Sequence, residues 1–236
     1  SNTGDTTNTA RTIDYTDAAI VGAADNMTIT LDNVDEHTVI TLDDAGGTTN
    51  ELETVTLNSI GLANTIAGLT TANVETSKVV VTGDTDLTVS AALDNKVLTV
   101  DATAATGAVT ATAGTGAVVM TGGTGNDSLT GGTGANTLTG GDGNDTLDGA
   151  AGNDIIAGGD GNDIITTGTG TTDVVTGGAG NDIITVTNDG GTNVISNISG
   201  GEGNDTIVIS DIADLTATDI FAGGDGTDTI EVTTGT

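Results

Sequence analysis

The second half of the chain repeats a nine-residue pattern of glycine, polar and aliphatic positions. From Gly122 the units read GGTGNDSLT, GGTGANTLT, GGDGNDTLD, GAAGNDIIA and GGDGNDIIT without a gap. A further unit ending at Thr176 has one extra residue, and clean units begin at Gly177, Gly200 and Gly223. Because only three residues follow each glycine-rich bend, the pattern predicts short strands between tight turns, stacked as in a repeat protein.

The eighth position of every unit is aliphatic and is predicted to face inward, because it is the middle residue of a three-residue strand. These residues are Leu129, Leu138, Leu147, Ile156, Ile165, Val175, Ile184, Ile207 and Ile230. The seventh position, predicted to face outward, changes from Ser128, Thr137 and Thr146 to Ile155, Ile164, Val174 and Ile183. Rows of outward aliphatic side chains fit a partner surface or a solvated sheet of high β-propensity, and the sequence leaves both open.

The spacing widens near the C-terminal end, where Gly177, Gly200 and Gly223 begin units 23 residues apart. We interpret these segments as wider coils with one glycine-rich loop each. The insert 209–222 fits either a strand-loop-strand or one short helical turn.

Upstream the nine-residue spacing continues without aspartate, in AATGAVTAT from Ala104 and AGTGAVVMT from Ala113. Earlier short runs rich in Thr, Val and Leu predict strands. These runs are Met27 to Leu31, Thr38 to Leu42, Thr54 to Leu57, Val79 to Thr82, Leu87 to Ser90 and Val97 to Val100. We therefore expect an all-β fold, one continuous right-handed parallel β-roll or β-helix solenoid, with a β-sandwich as the alternative for the first hundred residues.

Composition and charge restrict both the core and the partners. Aromatic residues make up 1% of the chain, so the core must be built from thin layers of smaller side chains, and without cysteine any metal must be held by oxygen. The formal net charge is −31, and the three basic residues are Arg11, Lys78 and Lys96. From Gly122 onward the carboxylates therefore need an external cation. Nucleic acid and anionic lipid do not suit this surface, and no apolar run is long enough to span a membrane.

The sixth position of each unit supplies a carboxylate next to backbone carbonyls that the glycine bends turn toward one point. Two units complete one predicted coil, so equivalent loops stack about 4.8 Å apart, where two carboxylates repel by roughly 3.5 kcal/mol at an effective dielectric constant near 20. Calcium accepts 6–8 oxygen ligands in flexible geometry and removes this repulsion. The predicted calcium ligands are Asp127, Asp145, Asp154, Asp163, Asp182, Asp205 and Asp228, with Asp173 in the irregular unit.

The nonapeptides resemble the RTX domains of proteins exported by type I secretion. The flanking segments LETVTLNS from Leu52, VTGDTDLTV from Val81 and LTVDATAATG from Leu98 resemble the Thr/Ala-rich segments beside RTX repeats in bacterial S-layer proteins. The resemblance implies that loop carbonyls join the sixth-position side chains as calcium ligands. These carbonyls belong to Gly123, Gly125, Gly141, Gly143, Gly159, Gly161, Gly178, Gly180, Gly201 and Gly203. The chain departs from the family pattern at Asn136, included here as a ligand in place of Asp, and at Ala150 and Thr227.

Together these observations predict a Thr/Val-rich, calcium-poor β-solenoid domain over residues 1–121 and a calcium-binding roll over residues 122–236. The resemblance implies an extracellular structural subunit of a bacterial surface layer, in which calcium drives folding and self-association into a lattice. A cell-surface polysaccharide would anchor it through regions outside these residues. Because the first residue is Ser1 and not Met, we expect a fragment or a processed product of a longer chain.

No catalytic motif is present. His37 has no second histidine at metal-binding spacing and is expected to be a surface residue, so we expect no enzyme activity from these residues. The alternatives are an RTX adhesin or biofilm matrix protein, and the RTX tail of a secreted hydrolase or toxin.

Overall fold

The computed structural model of the chain describes residues 11–15, 26–34, 38–44, 53–71, 76–187, 197–210 and 219–233. Every regular element in these residues is a β-strand. The strands up to the start of the repeats are β1 (Arg11–Tyr15), β2 (Asn26–Asp32), β3 (Val39–Asp44), β4 (Thr54–Ile60), β5 (Asn64–Ile66), β6 (Gly68–Thr71), β7 (Lys78–Gly83), β8 (Leu87–Val89), β9 (Thr99–Ala105), β10 (Val109–Thr112) and β11 (Val119–Thr121).

The nonapeptides supply the remaining strands, each beginning directly after a glycine-rich bend or an insert. They are β12 (Ser128–Thr130), β13 (Thr137–Asp142), β14 (Thr146–Asp148), β15 (Ile155–Asp160), β16 (Ile164–Thr166), β17 (Val174–Ala179), β18 (Ile183–Val186), β19 (Asn197–Glu202), β20 (Thr206–Ile209), β21 (Ile220–Asp225) and β22 (Thr229–Val232). The strand predicted over Val97 to Val100 begins two residues later, because the N–H of Val97 closes a turn onto the carbonyl of Asp94 at 3.0 Å.

The strands form three sheets in which all described neighbours are parallel. One sheet of ten strands runs β2-β4-β7-β9-β11-β13-β15-β17-β19-β21, and one of nine runs β5-β8-β10-β12-β14-β16-β18-β20-β22. A third sheet, β1-β3-β6, is confined to the N-terminal part. The ten-stranded sheet continues without a break through the point where the repeats start, which confirms a parallel solenoid and makes the sandwich alternative wrong.

The coils change shape along the solenoid. Strands β4, β5 and β6 visit three sheets in succession, whereas from β7 onward the chain alternates between the ten-stranded and nine-stranded sheets. Through the contiguous repeats equivalent residues lie 18 positions apart, as predicted for two nonapeptides per coil, and across the irregular unit they lie 19 apart. The wider coils place Asp182, Asp205 and Asp228 at equivalent positions 23 residues apart, which confirms their common column.

Aliphatic side chains from both sheets fill the space between them. The eighth-position residues from Leu129 to Ile207 are buried, which confirms their predicted inward orientation. Ile230 is the exception and is 50% exposed, because no described strand pairs with the far edge of β22. At the seventh position Ile155 and Ile164 are 55% and 50% exposed, so these side chains face outward as predicted.

Two expectations concern segments that the structure does not describe. The insert 209–222 begins with Ile209 at the end of β20 and ends in β21, and its residues 211–218 lie outside the described part. His37 also lies outside the described residues. Within the described part of the chain, no helix is long and apolar enough to cross a membrane.

Candidate metal centre: two columns of glycine-rich loops

The nonapeptide loops stack in two columns, one on each side of the roll. The first column leads into the nine-stranded sheet, and its sixth-position residues are Asp127, Asp145, Asp163, Asp182, Asp205 and Asp228. The second column leads into the ten-stranded sheet, and its sixth-position residues are Asn136, Asp154 and Asp173. Asp228 is half-buried on the last described coil, and the other eight side chains are buried. The structure therefore brings all the predicted side-chain ligands into two lines.

One carboxylate oxygen of each sixth-position residue is tied to the preceding coil. Oδ1 of Asp163 accepts a hydrogen bond from the backbone N–H of Asp145 at 2.8 Å. The same bond recurs along both columns, which we call the aspartate ladder. Its other members, each given as the donor N–H to the acceptor Oδ1, are Val109 to Asp127 at 2.7 Å, Asp127 to Asp145 at 2.7 Å, Asp163 to Asp182 at 2.8 Å, Asp182 to Asp205 at 2.9 Å, Asp205 to Asp228 at 3.0 Å, Val118 to the amide oxygen of Asn136 at 3.2 Å, Asn136 to Asp154 at 2.7 Å and Asp154 to Asp173 at 2.9 Å.

The second carboxylate oxygen is buried without a hydrogen-bond partner in five of these residues. They are Asp145, Asp154, Asp163, Asp182 and Asp205. A buried charged oxygen without a partner is costly, so this row of atoms calls for a compensating cation whenever the carboxylates are ionised. Asp127 differs, because its Oδ2 accepts a hydrogen bond from the N–H of Gly123 at 2.7 Å.

The first glycine of each unit is required for space. A Cβ at Gly158 would overlap Oδ2 of Asp163 and the carbonyl oxygen of Gly177, the first glycine of the next loop in the column. The same convergence of a carboxylate oxygen and a carbonyl oxygen occurs at Gly140, Gly177 and Gly200. None of these first glycines has positive φ, so position one needs glycine for the close approach of other atoms and not for its backbone conformation. The sequence analysis also missed the carbonyl oxygens of the first glycines as possible metal ligands, because each of them approaches a carboxylate oxygen of a neighbouring coil and not of its own unit.

The second and fourth glycines are required by backbone conformation from the second repeat coil onward. Positive φ occurs at Gly141, Gly143, Gly159, Gly161, Gly178, Gly180, Gly201 and Gly203. Their carbonyls point along the column, since a Cβ at Gly159 would overlap the carbonyl oxygen of Gly141. Gly123 and Gly125, whose loop stacks on the upstream coil, do not have positive φ. Ala150 adopts φ of 66°, and Oδ1 of Asp148 accepts a hydrogen bond from its N–H at 2.9 Å.

Burial controls the titration of the column carboxyls. It raises the pKa of Asp145 to about 7, partly offset by the hydrogen bond from the N–H of Asp127, with repulsion from Asp127 and Asp163 adding to the rise. Burial likewise raises the pKa of Asp182 to about 6. By contrast, a hydrogen bond from Lys78 at 2.8 Å lowers the pKa of Asp101 in the upstream part. The repeats contain no lysine or arginine that could lower the pKa values of the column carboxyls in the same way.

A second row of side chains, missed by sequence reasoning, runs beside the first column. Oδ1 of Asn144 accepts a hydrogen bond from the N–H of Asn162 at 2.7 Å, so the fifth-position asparagine holds the following coil. We call this the asparagine ladder, and it runs in the opposite direction to the aspartate ladder. Its other members, each given as the donor N–H to the acceptor Oδ1, are Asn144 to Asn126 at 2.8 Å, Asn181 to Asn162 at 2.6 Å, Asn204 to Asn181 at 2.7 Å and Thr227 to Asn204 at 2.9 Å. The fifth-position repetition of asparagine was the available signal.

The donor chemistry of these loops fits calcium. Among the described residues, no group of three or more His, Cys, Asp or Glu side chains could hold a metal ion, so side chains alone do not form a centre. Each loop with a sixth-position aspartate instead combines one carboxylate with main-chain carbonyls, which are the hard oxygen donors that calcium uses. The orphaned carboxylate oxygens and the converging carbonyls at the first glycines are what a cation between loops would satisfy.

A parallel roll with glycine-rich loops and buried carboxylates in columns defines the class of calcium-binding β-rolls. The comparison with protein families matches the RTX calcium-binding nonapeptide repeat (4 copies) over residues 110–138, 121–156, 130–165, 139–174, 167–186, 189–208 and 216–235. These segments belong to that family, whose repeats bind several calcium ions in each repeat region. Comparisons with curated proteins and with solved structures gave no match.

Proposed function

We propose that this chain is a structural, secreted calcium-binding subunit of a bacterial surface layer, in which calcium drives folding and lattice assembly. The observation that carries the calcium-dependent part is the row of buried carboxylate oxygens without partners in the repeat loops. RTX repeats are structural calcium-binding repeats, so this region supports architecture and not catalysis.

The proposed calcium ligands are the eight predicted aspartates and the loop carbonyls. Asp145, Asp154, Asp163, Asp182 and Asp205 would each offer Oδ2, because Oδ1 is already tied to the preceding coil. The predicted glycine carbonyls at positions two and four, together with the carbonyls of the first glycines, supply the remaining oxygens. Bound calcium would neutralise the column charge and join successive coils.

Two pairs of exposed aliphatic side chains support self-association. Ile155 and Val174 are neighbours on the ten-stranded sheet, 55% and 42% exposed, and Ile164 and Ile183 are neighbours on the nine-stranded sheet, 50% and 45% exposed. Because the core lies between the two sheets, the pairs are on the two outer faces of the same coils. One copy can therefore contact a neighbour on each side, as an extended array requires.

Electron microscopy of the full chain with and without calcium tests this proposal. We expect ordered arrays in calcium, and dispersed particles after chelation. Replacing Ile164 and Ile183 together by Thr should abolish arrays while preserving the calcium-dependent circular dichroism spectrum. The matched control Val119→Thr, at an exposed position on the other sheet and outside both pairs, should still assemble.

Other outcomes select the alternative functions. A chain that stays monomeric at every calcium concentration rules out the surface-layer proposal and leaves the RTX tail of a secreted hydrolase or toxin. Fibrous extension without lateral order would indicate the spacer of an adhesin or matrix protein. Anchoring to cell-surface polysaccharide through regions beyond these residues belongs to the same proposal, and binding of the longer protein to purified polysaccharide would test it.

A further inference from the structure

One loop of the second column is closed by its own side chain. The amide nitrogen of Asn136 donates hydrogen bonds to the carbonyl of Gly134 at 2.7 Å and to the carbonyl of Gly149 at 3.5 Å. Its Oδ1 accepts from the N–H of Val118 at 3.2 Å, which is the aspartate-ladder bond. The carbonyl of Gly149 is the first-glycine carbonyl of the next loop in the column, so the amide group lies where the other loops bring two oxygens together.

The next loop of the same column shows the contrast. Asp154 also uses Oδ1 for the ladder bond, and its Oδ2 is buried without a hydrogen-bond partner, although the Asn136 side chain lies beside this carboxyl group. A carboxylate has no donor to offer the neighbouring carbonyls, whereas a carboxamide has two N–H donors and carries no charge. The single exchange of an oxygen for an NH2 group therefore replaces repulsion between oxygens by hydrogen bonds.

A second asparagine satisfies neighbouring oxygen atoms with its amide in the upstream part, where the aligned positions of the next two coils are the apolar residues Leu87 and Val109. Asn64 aligns through Leu87 and Val109 with the sixth-position residues of the first column, and it is 1% exposed. Its amide nitrogen donates to the carbonyl of Leu31 at 3.2 Å, to Oγ of Ser59 at 2.9 Å and to the carbonyl of Ile60 at 3.1 Å. This position is thus satisfied by a neutral amide that contacts three oxygens.

We propose that the Asn136 amide takes the place of calcium in loop 131–136, so that this loop closes without metal and the second column begins to bind calcium only at the following loop. The proposal revises the expectation that Asn136 is a ligand. It rests on calcium binding by the aspartate loops and is independent of lattice formation. The first repeat coil is then held together on the second-column side without metal. The calcium-bound coils stack on this coil as on a template.

Calcium stoichiometry of the full chain tests the proposal. Asn136→Asp restores the carboxylate, and we expect it to bind one calcium ion more than the unsubstituted chain in equilibrium dialysis with metal analysis. We also expect its calcium-free form to melt at a lower temperature, because a buried charge replaces a hydrogen-bonded amide. The matched control Asn126→Asp makes the same chemical change at an exposed fifth position and should leave the stoichiometry unchanged.

A folded Asn136→Asp chain with unchanged stoichiometry would overturn the proposal. Crystals of the unsubstituted chain grown in calcium decide the matter even where the variant does not fold. Anomalous difference maps should show peaks in loop 149–154 and none in loop 131–136. A calcium peak within about 2.6 Å of Oδ1 of Asn136 would show that the side chain is a ligand after all.

Discussion

The backbone N–H of Asp145 donates to Oδ1 of Asp163, one coil further along, at 2.8 Å. Both side chains are 1% exposed, and the second carboxylate oxygen of each has no partner. A single residue type can thus perform two tasks, since one oxygen holds the coils together and the other is left for the proposed calcium ion. A substitution that changes one of these oxygens and keeps the other should therefore affect calcium binding and coil stacking to different extents.

Asp145→Asn removes the charge and keeps an acceptor for the N–H of Asp127. We expect the calcium concentration at the folding midpoint to rise about tenfold, equivalent to about 1.4 kcal/mol. At pH 8 the calcium-free form should melt at a higher temperature than the unsubstituted chain, because a buried carboxylate and its repulsion are gone. Calcium titrations followed by circular dichroism, at a temperature above the melting temperature of the calcium-free form, measure the first effect, and thermal melts of the calcium-free form measure the second.

Asp142→Ala is the control for this comparison. Asp142 is exposed and lies in the same loop, three residues before Asp145, so its loss should shift the midpoint less than twofold. Equal shifts for the two variants would show that overall negative charge, and not the position of the carboxylate in the column, sets the calcium requirement.

Gly158→Ala tests the convergence of oxygens at the first glycine. A Cβ there would overlap both Oδ2 of Asp163 and the carbonyl of Gly177, and the backbone carbonyl cannot rotate away as a side chain can. We expect a loss of about 2 kcal/mol or more in the free energy of unfolding in calcium. Gly116→Ala is the matched control, because the nearest atom to its added Cβ is the carbonyl oxygen of Asn95 at 3.4 Å. Chemical denaturation of both variants gives the comparison, and equal losses would contradict the site geometry.

The parts of the fold that depend on periodicity were predictable from the sequence. Leu138 and Ile156 both occupy the eighth position of their units. A nine-residue period with a three-residue strand places both side chains inside the roll, independently of the conformation of the loops. The common column of Asp182 and Asp205 follows in the same way from equal spacing, even across an insert.

Features that depend on contacts between coils were not predictable. The sequence around Gly158 does not distinguish it from a glycine that is needed for positive φ. Only the adjacent coil shows that Gly158 is needed because a side chain would not fit. The orientation of the Asn136 amide depends on the carbonyl of Gly149, thirteen residues away along the chain. The three-sided start of the solenoid likewise has no counterpart in the nonapeptide spacing, because strands such as β6 pair only with their own short sheet.

The calcium-free form should respond to pH in the opposite sense to the calcium-bound form. Burial raises the pKa of Asp145 to about 7 and that of Asp182 to about 6, above the ordinary value of 3.8. The folded calcium-free chain therefore binds more protons than the unfolded chain between about pH 4 and pH 7, and its stability falls as the pH rises through that window. Calcium needs the ionised carboxylates, so calcium affinity should rise over the same window.

Thermal melts in metal-depleted buffer at pH 5, 6, 7 and 8, with and without added calcium, measure both trends. We expect the melting temperature without calcium to be highest at pH 5 and the gain from calcium to be largest at pH 8. A calcium-free melting temperature that rises steadily from pH 5 to pH 8 would contradict the assignment of buried, neutral carboxyls.

The two ladders can be distinguished because they hold different backbone groups. Oδ1 of Asn162 accepts from the N–H of Asn181 on the following coil, whereas Oδ1 of Asp163 accepts from the N–H of Asp145 on the preceding coil. Asn162→Ala should therefore release the amide hydrogen of Asn181, and Asp163→Ala should release that of Asp145. Because Asn162 is exposed and water replaces its lost bond, its substitution should cost about 0.5–1 kcal/mol both with and without calcium.

Hydrogen exchange resolved by residue, in saturating calcium, provides the measurement. The asparagine variant should show faster exchange at Asn181 with an unchanged calcium midpoint, and the aspartate variant faster exchange at Asp145 with a raised midpoint. Thr124→Ala, at an exposed position of the first repeat loop, should alter neither amide. If Asn162→Ala raised the calcium midpoint as much as Asp163→Ala does, the asparagine ladder would be part of the calcium site, and its assignment as a separate, metal-independent support of the roll would be wrong.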